Sequence, residues 1–493
     1  MIPILTPGEM AAVDAAAPEP VAVLVARAGW AVARVARQML GGTYGKRVVV
    51  IAGRGNNGAD GRVAAELLAR RGARVTVVDP TGRPEGVSAG AVDPSADQAP
   101  GPLTLPPGDL IIDAAFGTGL SRPYVAPRPA DPATPVLAVD IPSGIDGLTG
   151  GRVGEPLYAD VTVTFAALKP GLLCADGPAT SGEVIGVDIG LDTSAARAWQ
   201  VTGADIADWL PTRARRTHKW RSALRLVAGS PGMTGSADLA SAAALRAGSG
   251  YVRRSTPGLD PAAPGVVPTG PVEAVTTALG ADDWADEVLA DLDRFGALAV
   301  GPGLGRAPAV AAQIAAVVRT AIPLVIDGDG LRALGDDPAA MLAARPTGAP
   351  SAVLTPHDAE FAALGGDVDA PDRFASVRAL AARTGAVVLH KGPTTIVADP
   401  AGDVLVSTAG DARLATAGTG DVLTGVIGAF LARGVDPFEA AAAAAWVHGT
   451  AGRLAPTAGL VASDLPALVA TVLAAPDGGP MSEDGPVRTD PTR

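Results

Sequence analysis

The chain has 493 residues, which is too many for one ordinary core, so its length predicts two or three domains. Hydrophobic residues make up 48% of the sequence, enough to fill such cores, although only 3% of residues are aromatic. The formal net charge of −12 argues against general nucleic-acid binding, which needs a basic surface. We therefore expect no nucleic-acid partner.

Cys174 is the only cysteine, which excludes an intrachain disulfide and a metal cage built from cysteines. A reducing cytoplasm is therefore the expected location. The first residues lack the basic flank and apolar stretch of a signal peptide, and no run of about twenty apolar residues is present to span a membrane. The four histidines lack metal-ligand spacing, so we predict no zinc site.

The first two hundred residues alternate apolar runs with helical stretches. Residues 47–52 are typical of a buried strand; a glycine-rich turn follows, and then an amphipathic helix is predicted over 61–71. Further strands are predicted at residues 74–78, 109–114 and 136–140. This order predicts a Rossmann-like, doubly wound parallel sheet, whose ligands lie at the carboxyl ends of its strands.

Three segments that follow these strands carry polar groups beside small residues: 52–61, 113–122 and 140–146. In the first, glycines would let backbone amides approach an anion at a helix N-terminus, although a tight turn capped by asparagine is an equally good interpretation. The oxygen atoms of Asn57, Asp113 and Ser143 are suited to a cation. Asp140 is a candidate general acid or base, or alternatively a turn cap.

Together these segments resemble the YjeF N-terminal family of NAD(P)H-hydrate epimerases, over roughly residues 4–208. The motifs are Asn-Asn-Gly-x-Asp-Gly, Asp-x-x-Phe-Gly-Thr-Gly and Asp-Ile-Pro-Ser-Gly, in that order, and residues 164–171 also match. The resemblance implies a potassium site at Asn57, Asp113 and Ser143, and a catalytic Asp140. It also implies that the hydrate contacts Asn56, Asn57, Gly58, Ala59, Asp60, Gly117, Thr118, Gly119, Leu120, Ser121, Arg122, Pro123 and Asp140.

The basic segment 211–220 separates this half from a second one, so we predict an epimerase domain over 1–212 and another domain over 213–476. The second half again alternates strands, predicted at 224–228, 297–300, 324–326 and 386–389, with alanine-rich helices. Residues 477–493 are rich in Gly, Pro and acids without periodicity, which predicts a disordered tail.

Residues 415–425 form a glycine-rich turn that opens an apolar helix, so several amide groups converge where a phosphate could bind. Asp421 falls in the first helical turn, where a carboxylate can orient or deprotonate a hydroxyl that attacks the phosphate. The alternative is plain capping of the helix by Thr419 or Asp421.

This segment resembles the ribokinase-like α/β/α superfamily, and further motifs narrow the match to its ADP/ATP-dependent NAD(P)H-hydrate dehydratases over about residues 213–475. The motifs are His218-Lys219 and residues 228–237, 243–250, 301–305, 354–361 and 391–395. The resemblance implies that the hydrate contacts Ala237, Gly303, His357 and Asp421, with Asp421 catalytic. The nucleotide is implied to contact Lys391, Gly392, Pro393, Thr394, Thr395 and Gly420, with Mg²⁺ and ADP as cofactor and co-substrate.

The two resemblances together imply a bifunctional enzyme that repairs hydrated NADH and NADPH. One half would interconvert the R and S hydrates, and the other would dehydrate the S form at the expense of ADP, giving NAD(P)H, AMP and phosphate. A homo-oligomer is also implied. Two alternatives remain open: a small-molecule kinase of the ribokinase superfamily, and a first half that serves as a protein-interaction scaffold.

Overall fold

The computed structural model describes residues 1–85, 103–260, 262, 270–475 and 487–489. The chain divides into two compact units: an N-terminal unit with Ile2–Arg197 and the strand Val487–Thr489, and a C-terminal unit that begins at Ala198. Throughout the described ranges, every helix is too short or too polar to cross a membrane.

The N-terminal unit contains a parallel sheet whose neighbours follow the order β9-β8-β6-β4-β2-β3. The strands of the N-terminal unit are β1 (Ile2–Pro3), β2 (Arg47–Ala52), β3 (Arg74–Val78), β4 (Leu110–Ala114), β5 (Tyr124–Val125), β6 (Val136–Val139), β7 (Gly154–Glu155), β8 (Val161–Phe165) and β9 (Glu183–Val187), of which β5 and β7 pair as a separate two-stranded sheet. Its helices are α1 (Pro7–Ala15), α2 (Val21–Leu40), α3 (Asn56–Arg70), α4 (Pro170–Leu173) and α5 (Gly177–Ser181). The predicted parallel sheet is confirmed.

Apart from Arg47 and Asp113, strands β2, β4 and β6 consist of Val, Ile, Leu and Ala, and they are buried almost throughout, as expected for parallel strands covered on both faces. Helix α3 begins at Asn56, five residues before the predicted start at 61. The prediction of a turn was therefore wrong for most of the asparagine motif, because extended Gly55 is the N-cap and the motif forms the first turns of the helix.

The C-terminal unit is built around a second, larger sheet. Its strands are β10 (Ala198–Gln200), β11 (Ala223–Val227), β12 (Tyr251–Ser255), β13 (Val275–Thr276), β14 (Ala297–Val300), β15 (Leu324–Ile326), β16 (Val353–Leu354), β17 (Val387–His390), β18 (Thr395–Ala398) and β19 (Val404–Ser407). Its α-helices are α6 (Gly203–Trp209), α7 (Thr234–Arg246), α8 (Ala285–Leu289), α9 (Pro308–Val318), α10 (Asp329–Arg332), α11 (Pro338–Leu342), α12 (Asp358–Ala363), α13 (Arg373–Thr384), α14 (Thr419–Ala432), α15 (Pro437–Leu454) and α16 (Leu465–Ala474). Short 3₁₀ helices lie at Lys219–Ser222, Leu292–Arg294, Ala412–Leu414 and Ala462–Asp464.

The strands of this sheet follow the order β10-β19-β18-β17-β16-β15-β14-β11-β12-β13, and β18 is antiparallel to both of its neighbours. The other neighbouring pairs are parallel, as the alternation of strands and helices predicts. Helix α14 is almost entirely buried in the core. Gly425 allows its close approach to α7, since a Cβ there would lie only 2.1 Å from the carbonyl oxygen of Ala240.

Along the chain, the boundary between the compact units lies at 197/198, whereas the sequence predicts it at 212/213. The reason is that β10 pairs with β19, and Ile206 of α6 is buried in the core of the C-terminal unit. In the predicted tail, Val487–Thr489 forms the strand β20, which pairs in parallel with Val184–Gly186 of β9. The rest of that predicted tail lies outside the described residues.

The close contact of α14 with α7 makes Gly425 sensitive to substitution. We expect Gly425→Ala to lower the free energy of unfolding by about 1–3 kcal/mol, because the added methyl group forces the helices apart. Urea unfolding measures this. Gly235→Ala in α7 is the control: a Cβ there meets nothing within 4 Å, and alanine favours the helix. Equal stabilities for the two variants would contradict this account.

Candidate active sites

The motifs of the N-terminal half converge at the carboxyl edge of its sheet. Ile51 is in register with Asp113, and Asp113 with Ala138, so the segments after β2, β4 and β6 leave the sheet side by side. They line a cavity of about 440 Å³. The predicted site residues among its lining are Asn56, Asn57, Asp60, Gly117, Thr118, Gly119, Leu120 and Asp140. The convergence follows from parallel topology, which brings strand ends to one edge.

The other residues of the predicted hydrate site lie outside the lining of this cavity. Gly58 is buried, and a Cβ on it would lie 1.9 Å from the carbonyl oxygen of Gly53, so glycine is required there by packing. Ala59 lies within α3 without a positive φ, so the helix accepts its side chain. Ser121, Arg122 and Pro123 are exposed.

Asp140 is held in the cavity by a buried ammonium group. The Nζ atom of Lys169 donates to Asp140 Oδ1 at 2.5 Å, and the Thr164 hydroxyl donates to the same oxygen at 3.1 Å. Lys169 is 1% exposed, and its Nζ also donates to Thr164 Oγ1 and to the carbonyl of Phe165. Asp140 has φ +67°, a conformation that costs energy outside glycine. The side chains of Asp140 and Lys169 are thus fixed as a pair at the wall of the cavity.

Two further carboxyl groups line the same cavity. Burial, reinforced by the charges of Asp140 and Asp14, raises the pKa of Asp60 to about 8. Burial also raises the pKa of Asp14, against the opposing charge of Lys169. At neutral pH Asp60 is therefore a proton donor beside the carboxylate of Asp140, an arrangement typical of acid–base sites. Sequence reasoning missed Asp14 and Lys169; only the match of residues 164–171 pointed towards the lysine.

The three residues predicted to hold potassium have chemistry that fits a monovalent cation. Asp113 is 1% exposed, and burial raises its pKa despite hydrogen bonds from Ser143. The Ser143 hydroxyl donates to Asp113 Oδ1 at 2.6 Å. The amide nitrogen of Asn57 is buried without a hydrogen-bond partner, and rotation of the amide would present its oxygen instead. A cation would both satisfy that oxygen and offset the buried carboxylate.

The second set of motifs converges at the carboxyl edge of the C-terminal sheet. Residues 301–305 follow β14, Asp327 follows β15, residues 355–357 follow β16 and Lys391 follows β17. Gly301 has φ +126°, and a Cβ there would lie 1.9 Å from the carbonyl oxygen of Asp327. Gly303 has φ +62°, and a Cβ there would lie 2.8 Å from Ser236 Oγ. Glycine is thus needed for these loops to pack together.

Asp327 lies at the centre of this edge. Lys391 Nζ donates to its Oδ1 at 2.9 Å, the Thr355 hydroxyl donates to Oδ1 at 2.7 Å, and the Thr424 hydroxyl donates to Oδ2 at 2.8 Å. Burial opposes ionisation of Asp327, but the charge of Lys391 and these hydrogen bonds prevail and lower its pKa. Burial likewise disfavours charged Lys391, whereas Asp327 and Glu360 raise its pKa overall. The sequence motifs did not single out Asp327, although its place directly after a strand was a usable signal.

The predicted turn at the start of α14 is confirmed, with Gly418 as the N-cap at φ +90° and Asp421 in the first turn. The first amide groups of a helix lack intrahelical partners, so they can bind phosphate oxygens. A Cβ on Gly420 would lie 3.6 Å from Lys391 Nζ, so the loop lies beside the buried lysine. Burial raises the pKa of Asp421 to about 6, with Ser236 and Lys391 opposing and Asp327 and Asp329 adding to the rise.

His357 is the N-cap of α12, where its ring Nδ1 accepts from the amides of Ala359 and Glu360. Its side chain is 53% exposed, and its Nε2 lies 3.4 Å from Glu360 Oε1. Glu360 Oε2 is in turn 3.8 Å from Lys391 Nζ, which links the histidine to the central ion pair. Of the predicted nucleotide residues, Gly392 and Pro393 are exposed and Thr394 and Thr395 half-buried.

Ala237 differs from the other predicted residues of this site, because its side chain on α7 is completely buried in the hydrophobic core. His390 was left without a role by its sequence context. In the structure its ring stacks on Phe361 with centroids 4.2 Å apart, and its Nε2 lies 2.8 Å from Asp358 Oδ1.

The whole sequence matches known families in two places. Residues 224–473 match the NAD(P)H-hydrate dehydratase family, and residues 21–171 match the YjeF-related protein N-terminus. The chain is 38% identical over 420 residues to the bifunctional NAD(P)H-hydrate repair enzyme Nnr of Mycobacterium tuberculosis, covering 82% of each chain. It is 36% identical over 499 residues to that of Salinibacter ruber, covering 91% of each.

Among solved structures, the chain is similar to the ADP/ATP-dependent NAD(P)H-hydrate dehydratase of Bacillus subtilis, co-crystallised with ATP and Mg²⁺. The two are 30% identical, with a TM-score of 0.48 over 56% of this chain and 98% of that one. The folds and sites define an enzyme with two catalytic units that act on nicotinamide nucleotides. The chain belongs to the family of bifunctional NAD(P)H-hydrate repair enzymes, with an epimerase and a dehydratase half.

The raised pKa of Asp60 makes stability depend on pH in a defined direction. The folded protein binds the proton of Asp60 more tightly than a carboxyl group with the usual pKa of 3.8 does. The contribution of this proton to the free energy of unfolding is therefore greatest at low pH and is lost as pH rises through about 8. From about pH 6 to about pH 9, the wild type should therefore lose free energy of unfolding relative to Asp60→Asn. Denaturant unfolding at several pH values measures the difference.

Glu66→Gln is the matched control, since Glu66 lies on the same helix and its side chain is 70% exposed. Its stability difference from the wild type should change less with pH. A constant difference between wild type and Asp60→Asn would show that Asp60 is ionised at neutral pH.

Proposed function

We propose that the C-terminal half dehydrates the S hydrate of NADH and NADPH with ADP as co-substrate. The observation that carries this proposal is Asp421, a carboxyl group with a pKa of about 6 at a helix N-terminus beside the buried Lys391–Asp327 pair. A base with such a pKa is ionised at neutral pH yet still able to accept a proton. The neighbouring amide groups suit a terminal phosphate.

The reaction proceeds in two stages. Asp421 takes the proton of the hydroxyl group on C6 of the hydrated ring, and that oxygen attacks the terminal phosphorus of ADP, which releases AMP. The C6–O bond then breaks with phosphate as the leaving group, the ring nitrogen supplies electrons, and loss of a proton from C5 restores the double bond. Lys391 offsets the negative charge that moves with the phosphoryl group.

Among the described residues there is no group of three His, Cys, Asp or Glu side chains arranged to hold a metal. Mg²⁺ commonly takes few protein ligands and is held largely by substrate phosphates and water. The charges of Asp327 and Asp329 raise the pKa of Asp421, and a divalent cation would relieve that repulsion. We propose Asp329 as its protein ligand. When bound, Mg²⁺ would neutralise phosphate charge.

The N-terminal half, on the same proposal, interconverts the R and S hydrates. A change of configuration at C6 requires one bond to break and to re-form on the opposite face, which needs one group to donate a proton and another to accept it. Asp140, held in position by Lys169, is the acceptor, and Asp60 with its pKa of about 8 is the donor. The residues Asn57, Asp113 and Ser143 would hold K⁺, which supplies positive charge for the substrate's phosphates.

The protein is further proposed to be a homo-oligomer located in the cytoplasm. Support for the location is that buried Cys174 is the only cysteine of the sequence, so the chain forms no intrachain disulfide.

Replacement of Asp421 tests the dehydratase. Asp421→Asn should slow dehydration by about 10²–10⁴-fold, because the attacking hydroxyl loses its base, while epimerisation is unchanged. In the wild type, the rate should rise with pH through about 6 as Asp421 ionises. Recovery of the absorbance of the reduced nicotinamide ring, with ADP and S hydrate, measures both.

Asp436→Asn serves as the control, because asparagine caps α15 as well as aspartate does, and its rate should match the wild type. Retained dehydration by Asp421→Asn would remove the proposed base. Accumulation of a stable phosphorylated product by the wild type would instead indicate a kinase.

Replacement of Asp140 tests the epimerase. Asp140→Asn should slow equilibration of the two hydrates by about 10²–10⁴-fold, and dehydration of the pure S hydrate should keep its rate. Chiral chromatography follows the isomers. Asp131→Asn, at an exposed position of the same unit, should equilibrate them normally. Normal equilibration of the hydrates by Asp140→Asn would favour a different proton acceptor. If the wild type itself failed to equilibrate the hydrates, the N-terminal half would instead be a protein-interaction scaffold.

A further inference from the structure

A second open cavity, of about 600 Å³, lies in the C-terminal unit away from the catalytic edge. Four residues that directly precede strands line it: Ser222, Gly250, Gly296 and Pro323. It therefore lies at the amino edge of the sheet, opposite the loops that carry Asp421. We call it the amino-edge cavity.

Helix α14 separates the two sites. Its first turn carries Asp421, and its last residues, Leu431 and Ala432, line the amino-edge cavity together with Arg433. A helix of 14 residues is about 20 Å long at 1.5 Å per residue, so a ligand in this cavity would not touch the catalytic groups.

The lining of the amino-edge cavity is strongly basic. It contains Arg213, Lys219, Arg221 and Arg433 together with His218, and the described lining residues include no Asp or Glu. No acidic residue occurs anywhere between Asp208 and Asp238 in a chain whose formal net charge is −12. Such a local excess of positive charge is the electrostatic signature of a site for anions.

Helix ends explain only part of this charge. Arg213 donates to the carbonyl of Gly248 at 2.6 Å, and Arg433 donates to the carbonyls of Ala247 and Pro211, so both guanidinium groups cap the end of α7. Each helix C-terminus carries only about half a negative charge. The ends of α7 and α14 together thus offset about one of the four positive charges.

One of the two remaining cations, Lys219, packs on a neutral ring. Lys219 Nζ lies 5.3 Å from the centroid of the Tyr251 ring, and Trp220 beside it packs on Tyr251 and Phe295. Both Lys219 and Arg221 are exposed. Burial and the charge of Arg213 lower the pKa of Arg433, so these two guanidinium groups repel each other. A bound anion would relieve this repulsion.

We propose that the amino-edge cavity binds a small molecule that carries a diphosphate group. The helix ends leave about three of the four positive charges uncompensated, enough to bind two adjacent phosphates, and the volume of the cavity lies within the range of small-molecule sites. The concave shape selects a small ligand over an extended polyanion. The motif His218-Lys219 lines this cavity, so the proposal gives the motif a role as a binding element.

Calorimetric titration with pyrophosphate tests the proposal on the full-length protein. The variant Lys219→Gln/Arg221→Gln should bind pyrophosphate at least about tenfold more weakly than the wild type, since two charge-assisted contacts are lost. Its dehydration rate without pyrophosphate should be unchanged. The matched control Lys46→Gln/Arg74→Gln removes the same two charges from exposed positions of the N-terminal unit and should bind as the wild type does.

The charge-retaining swap Lys219→Arg/Arg221→Lys separates electrostatics from folding. Binding that survives the swap but not the glutamine variant supports the site. Equal binding by wild type and glutamine variant overturns it, as does loss of binding in the swap. A second titration with ADP identifies the source of the diphosphate: one extra equivalent in the wild type over the glutamine variant indicates a nucleotide, and equal stoichiometry indicates inorganic diphosphate.

Discussion

Both catalytic sites depend on a lysine that is paired with an aspartate at the end of a strand. Lys169 binds Asp140 after β6, and Lys391 binds Asp327 after β15. The chain has only four lysines, and these two are largely removed from water. A buried charge is strongly disfavoured unless its partner and hydrogen bonds are in place, so each pair fixes the geometry around it.

The two pairs have different roles. At the first site the paired aspartate, Asp140, itself lines the cavity, and Lys169 fixes the position of the carboxyl group that we propose as the proton acceptor. At the second site Asp327 is enclosed by Lys391, Thr355 and Thr424, and the proposed base is a separate carboxyl group, that of Asp421. One ion pair thus includes the proposed base, whereas the other provides a charged frame around the turn that we propose to bind phosphate.

Much of this architecture could be predicted from sequence because the signals are local. Apolar runs predicted the parallel strands, and the glycines before Asp421 predicted the start of α14. The start of α3 was missed because asparagine and glycine favour turns, whereas here the helix takes them into its first turns. The lysine pairs and the raised pKa of Asp60 depend on residues far apart in the chain. The burial of a side chain and its contacts with distant residues cannot be predicted from the sequence of any single segment.

The packing of Gly425 against Ala240 has a consequence for how nucleotide is recognised. A helix locked by backbone contact on one side and by core side chains elsewhere has little freedom to slide or rotate. The amide groups at its first turn are therefore preorganised before any ligand arrives. Association then loses little conformational entropy in the protein, and affinity reflects chiefly the fit of the phosphate to a rigid cradle.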